Sequence, residues 1–298
     1  MNLLLLFALG TVWGASYLFI KVTVAEVPAL TLVAGRLILA ALVMWVILRV
    51  KGLSMPRERR MWGIFAVMAV INAALPYTLI TWGEQYISSG LASLLQATTP
   101  IFTVLLAQFL TSDERITPAK ISGVIVGFVG VGRLLLPELR QGLQASVWGQ
   151  LAVVGSSLSY AASAIYARSR LAGQPPLVSA TGQLTMGMIY MLPVSLLIDQ
   201  PFHLSVSSRA LAAWLALTVL GTVLAYLIYF TLLERTSATY VTMVTYIIPI
   251  NGLILGALVL DEQLTPAVLL SLALVLLGVL LVNGNLRLVG KSPKQATP

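Results

Sequence analysis

Apolar runs of about twenty residues follow one another along this chain, broken by short connections that hold nearly all of its Lys, Arg, Asp and Glu. A helix needs roughly 20 apolar residues to cross the hydrocarbon core of a bilayer. The runs predict helices near Leu3–Ile20, Leu30–Leu48, Met61–Thr81, Leu91–Leu110, Pro118–Leu136, Trp148–Tyr166, Leu177–Ile198, Ala210–Leu233, Ala238–Leu260 and Pro266–Val282. Two starts are marked by Thr117-Pro118 and Thr265-Pro266, threonine as N-cap and proline pre-set for the first turn. A secretory leader competes for the first run. That run lacks a basic n-region and carries Trp13 and Tyr17 late, so it is read as a retained span.

The pattern is written twice. Ser88 and Pro100 recur as Ser237 and Pro249 at a spacing of 149, and Glu114 and Pro118 as Glu262 and Pro266 at 148. Pro28, Gly35 and Leu37 recur as Pro175, Gly182 and Leu184 at 147, and Tyr77 falls over Tyr226. Runs one to five therefore map onto six to ten. Five is odd, so the second copy enters from the opposite side of the membrane. Such inversion about an axis in the membrane plane is a mark of transporters that work by alternating access. The expectation is an all-α integral membrane protein of ten transmembrane helices, as two inverted five-helix repeats (1–143 and 144–284) around a central cavity, with a basic tail at 285–298.

Composition changes this picture only by excluding others. Of 298 residues 58% are hydrophobic and 9% charged, against about 25% charged in soluble domains, and no connection is long enough to hold a soluble domain. The net charge of +8 points to nucleic acid only if it gathers on one soluble face. The basic residues lie instead at the ends of runs: thirteen fall on the side that holds both termini against four opposite, with Arg36 inside the second run. That asymmetry predicts cytoplasmic termini. There is no cysteine, which removes disulfides, thiol catalysis and thiolate metal sites. The single His203 is read as a solvated loop residue, and no metal or cofactor is expected.

A polar side chain inside a span needs a partner or a water-filled cavity, which selects the candidates. Ser93, Gln96 and Pro100 share a face of the fourth run, and Thr242, Thr245 and Pro249 repeat it in the ninth, with Tyr246 alongside. Each proline removes an amide and frees the carbonyl of Gln96 or Thr245; an ordinary kink is the alternative. The sixth run offers Ser156, Tyr160 and Ser163, the first Trp13 and Tyr17, the third Tyr77, and the eighth Tyr226. An aromatic wall with a few hydroxyls and amides suits an apolar or aromatic solute with a polar end, although Trp82 and Tyr86 also fit an interfacial belt. Glu84 is the one acid placed to face a cavity, as a proton-linked group or as an interface residue. Arg36 either snorkels and bonds backbone carbonyls or meets a substrate carboxylate. Glu114 and Glu262 are expected to brace the hairpin helix that follows each. Gly123 and Gly127 form a small-residue motif for close helix packing, within the monomer or between subunits.

With WGASYLFIK from Trp13, the VPALTLVAGRLILAA stretch with Pro28 and Arg36, Pro100 followed by Glu114 and GVIVGFVGVG, and the second set of Pro249 and Glu262, the whole chain resembles the EamA family of the drug/metabolite transporter superfamily. Within it the chain looks most like the YddG-type exporters of aromatic amino acids. That resemblance implies a carrier of the bacterial-type inner membrane. It would move amino acids or related small metabolites outward through a cavity between the two repeats, as a monomer or a homodimer. The family's small four-helix relatives rely on a glutamate in their first helix, which this first run lacks. The alternatives are an importer or facilitator of a nucleoside or sugar and, from other classes, a membrane-embedded enzyme or a scaffold. Two apparent nucleotide motifs fail. GNLRLVGKS from Gly284 has one residue too many between its glycines, and GFVGVG from Gly127 lies in a membrane run, so neither nucleotide nor nucleic acid is expected as a partner.

Overall fold

A computed structural model describes residues 1–110, 117–236 and 238–283. The expectations for Asp113, Glu114, Ser237 and the basic tail lie outside those residues. The described chain forms helices α1 (Asn2–Val24), α2 (Ala29–Val50), α3 (Arg59–Gly83), α4 (Ser89–Leu110), α5 (Pro118–Arg140), α6 (Ala145–Arg170), α7 (Pro176–Ile198), α8 (Ser208–Arg235), α9 (Ala238–Thr242 continued by Val244–Leu260) and α10 (Pro266–Val282), with no strand among the described residues. Helix starts are set by local chemistry. The hydroxyls of Ser88, Thr117, Ser207 and Thr265 each accept the amide of the residue three positions on, satisfying one of the orphan donors at that end. His203 sits exposed in the short turn Pro201–His203.

Eight helices, α1 to α5 and α7 to α9, are long and apolar enough to cross a membrane. The expected set was larger. α10 is as apolar but has 17 residues. α6, with 26, carries Gln150 and the buried serines Ser156, Ser157, Ser159 and Ser163, which lower its hydropathy without shortening it. Large apolar side chains such as Leu4, Phe7, Val46, Phe109 and Leu258 point outward, as lipid-facing positions do.

α2 packs along α7, and α5 along α10; α1 lies against α8 and α9, while α6 lies against α3 and α4. Contact between α5 and α10 depends on glycine. A Cβ on Gly278 would stand 2.7 Å from both the Gly123 carbonyl oxygen and the Gly127 amide nitrogen. The small-residue motif is thus used within one chain.

The face opposite the chain termini is held by carboxylates that accept from helix starts in the other half of the sequence. Glu262 takes the amides of Ser89 (2.7 Å) and Gly90 (2.9 Å), Asp199 takes the amide and hydroxyl of Thr31 (2.7 and 2.9 Å), and Glu26 takes the amide and hydroxyl of Ser207 (both 2.7 Å). These contacts correct one expectation: Glu262 serves the start of α4, and α10, which follows it, is capped by Thr265 alone. A carboxylate belongs at a helix N-terminus because unpaired amides and the helix dipole favour negative charge there. The Ser207 bonds hold the Glu26 carboxyl below its ordinary range. That contact is therefore complete above the usual carboxylate pKa and is lost as pH falls through the depressed value.

Candidate functional site

Between these helices lies a cavity of about 880 Å³, within the few hundred to 1,000 Å³ typical of small-molecule sites. Its mouth is lined by Lys120, Leu171, Gln174, Val282 and Asn283, all at the end of the bundle where α1 begins and α10 ends. Its floor is formed by Tyr17, Ile20 and Ile80. Beyond the floor the opposite face is closed.

Two widened, π-helical turns shape the interior, over Val70–Ala74 in α3 and Val219–Leu224 in α8, with starts 149 residues apart (219 − 70). Such a turn adds a residue to the helix and redirects a side chain, and it recurs at functional sites. The first turn delivers Asn72. Its amide nitrogen donates to Gln183 Oε1 (2.9 Å), and its oxygen accepts from the Ser163 hydroxyl (2.9 Å). The second delivers Thr222, which receives Arg36 Nε at 2.8 Å. Sequence reading passed over Asn72, Gln183 and Thr222. The signal was present for the first two, each an amide in the middle of an apolar run.

Arg36 is 5% exposed and does not snorkel. Its guanidinium stands over the Tyr77 ring, 3.9 Å from the centroid, and its one bond is to a hydroxyl, where backbone carbonyls were the expectation. Its terminal nitrogens have no partner among the described residues, and the group lines the cavity. Among the described residues the only other charge in the wall is Lys120, near the mouth, and no acid lines it. Around them stand Trp13, Tyr17, Tyr77, Tyr160, Tyr226 and Tyr229, with Trp13 tilted against Tyr229 at 5.8 Å and Tyr226 stacked on Phe230 at 5.7 Å. The wall is aromatic and cationic.

In α4 the helix breaks at Ala97–Thr98, just before Pro100. The Gln96 carbonyl there accepts the hydroxyls of Thr99 (2.9 Å) and Ser157 (3.4 Å). Its side chain spans the gap, donating to the Thr99 hydroxyl (2.9 Å) and accepting from that of Ser156 (2.7 Å). Gln96→Leu should slow transport roughly tenfold, the cost of about one well-placed hydrogen bond. Ser156 keeps its second acceptor, the Val153 carbonyl, so the melting temperature should stay within a few degrees. Equal flux in mutant and parent refutes a role for the amide.

Of the residues chosen from sequence, Trp13, Tyr17, Arg36, Tyr77, Gln96, Pro100, Tyr160, Ser163, Tyr226, Thr242 and Thr245 line the cavity. Four lie off it. Ser93 is fully buried against Gly252 of α9. Ser156 stands behind Gln96 as its donor. Tyr246 turns outward to α10, where its hydroxyl meets the Val279 carbonyl (3.3 Å) and Asn283 (2.8 Å). Glu84 is sealed in the closed face below the floor. Pro249 is likewise buried inside α9 and absent from the wall.

A helical bundle with a solute-sized cavity closed at one end defines a membrane transporter. The comparisons agree with that class. The EamA-like transporter family matches residues 1–136 and 147–284, and the chain belongs to that family. It is 27% identical over 280 residues to the uncharacterized transporter YvbV of Bacillus subtilis, covering 94% of this chain and 90% of that one. It is 24% identical over 279 residues to the uncharacterized inner membrane transporter YedA of Escherichia coli, covering 93% and 89%. It is 26% identical over 277 residues to Protein PecM of Dickeya dadantii, covering 91% and 89%. A solved crystal structure shares the fold, with a TM-score of 0.68 at 19% identity over 94% of this chain and 96% of that one.

Proposed function

We propose that this transporter carries small amphipathic carboxylates, aromatic amino acids first among them, out of the cell by alternating access, without nucleotide or metal. The observation behind the substrate class is Arg36: a buried guanidinium with open donors, in an aromatic cavity whose wall, among the described residues, holds a second cation and no acid. A buried charge is costly unless it is paired, and a carboxylate is the pair that the planar fork fits best. The tyrosines and Trp13 then take the apolar or aromatic part, and Asn72, Gln183 and Gln96 meet the remaining polar groups.

The alternating-access reading takes α1–α5 and α6–α10 as ten membrane crossings in two inverted halves. Three features support it. The π-helical turns recur at the 149-residue spacing. α1 meets α8 and α9 as α6 meets α3 and α4. The two pairs that such an axis would map onto themselves, α2 with α7 and α5 with α10, are among the most extensive contacts. With the termini in the cytoplasm, as the basic residues predict, the cavity is open inward. Cells preloaded with aromatic dipeptides test the whole reading. Expressing cells should release phenylalanine, tyrosine or tryptophan faster than vector controls, and unchanged efflux across a broad panel of amino acids and aryl carboxylates refutes it.

A further inference from the structure

Glu84 terminates α3 on the closed face, on the far side of the cavity floor. Its side chain is fully buried, and neither carboxyl oxygen has a hydrogen-bond partner among the described residues. Nearby donors are committed elsewhere. The Lys21 ammonium of α1 donates to the main-chain oxygens of Glu84 (2.5 Å) and Ile87 (2.8 Å), so it caps the end of α3. α6 closes another side. A Cβ on Gly83 would lie 2.7 Å from the Gly149 carbonyl oxygen, and one on Gly149 would lie 2.9 Å from that of Gly83. Two backbones in contact leave no path for water.

The charged and titratable groups whose fields reach Glu84 are Lys21 and Tyr17 of α1, Glu262 of the connection between α9 and α10, and, more weakly, Arg36 of α2. Lys21 acts on Glu84 more strongly than Glu262 does, but its ammonium is committed to the two main-chain oxygens. An ionised Glu84 would still be a fully buried carboxylate with no hydrogen-bond donor among the described residues, which is costly. A neutral carboxyl avoids that cost. Opening this face must part Lys21 from α3 and Gly83 from Gly149, and water would then reach the side chain.

We propose that Glu84 is a proton-binding site: it holds a proton while this face is closed and gives it up to the medium on that side when the face opens. The proposal rests on the alternating-access reading above. Its consequence has a definite sign. The closed state binds one more proton than the open one, so acid on that side favours closure and alkali favours opening. Above the ordinary glutamate range of about pH 4.3, each unit of acidification should lower the open fraction by up to tenfold. Glu84 exchanges its proton only with that side, so it sets when the face opens without itself carrying protons across.

Two measurements on purified protein test this without a substrate, so a failed efflux assay leaves them intact. The infrared carbonyl stretch of a protonated carboxyl should be present at neutral pH and reduced in Glu84→Gln. The parent has no cysteine, so Ile87→Cys, buried on the closed face, gives a single thiol reporting opening to an impermeant maleimide. The labelling rate of Ile87→Cys, divided by that of Ile87→Cys with Glu84→Gln, cancels thiol ionisation. It should fall by up to tenfold per unit of acidification. An identical carbonyl band in both proteins, or a ratio independent of pH, overturns the proposal.

Discussion

Arg36→Met should abolish the preference of the carrier for a free carboxylate over the matching amide, and slow transport of aromatic acids by roughly 10- to 150-fold. The range follows from a charge-assisted hydrogen bond, worth about 1.5–3 kcal/mol. Thr222 and the Tyr77 ring already fix the guanidinium, so little ordering is left for the solute to provide. Arg36→Lys keeps the charge but loses the planar fork and its seat over Tyr77, and should fall between the two. Removing a buried cation relieves a desolvation cost, so the methionine variant should insert and melt at or above the parent temperature. Counterflow into proteoliposomes with phenylalanine and phenylalanine amide gives the readout. Parent-like rate and preference in Arg36→Met would refute the anchor.

The largest structural effect is expected at Gly278. Its neighbours across the α5–α10 contact are backbone atoms of Gly123 and Gly127, which cannot rotate away as a flexible side chain could. Gly278→Val must therefore drive the helices apart along their length. Overpacking costs about 1–3 kcal/mol where the core can yield, and the upper end is expected here. The check is thermal unfolding in mild detergent, where the mutant should melt several degrees lower. Gly132→Val is the control, because the one neighbour its Cβ would meet is the tip of Leu136 at 3.8 Å. Equal melting of all three proteins would mean that the two helices are not held by close approach.

The all-helical character was legible because it rests on composition and run length, which need no tertiary information. The helix starts were legible for the same reason, as Thr117 and Thr265 show by capping the next turn. Less of the wall was legible. Helical spacing put Ser93, Gln96 and Pro100 on one face, but Ser93 packs against Gly252 of α9 while Gln96, one turn on, reaches the cavity, and spacing within one helix does not show which neighbour lies beside each residue. Thr222 could not be found by spacing, because the π-helical turn that aims it at Arg36 shifts the period of α8. Glu262 was assigned to the helix that follows it in sequence. Its partners, the amides of Ser89 and Gly90, are more than 170 positions away, and a backbone amide leaves no trace in residue type.

That last point bears on how this protein can drift. Each carboxylate closing the face opposite the termini accepts at least one main-chain amide, which any residue but proline supplies. Thr31 and Ser207 also donate hydroxyls, and a Cβ on Gly90 would stand 2.8 Å from Leu253 Cδ2. The asymmetry is therefore confined to the amide of Ser89: selection there should fall on Glu262 and leave residue 89 freer to vary. In a saturation library the two sides of one contact would carry very unequal mutational tolerance.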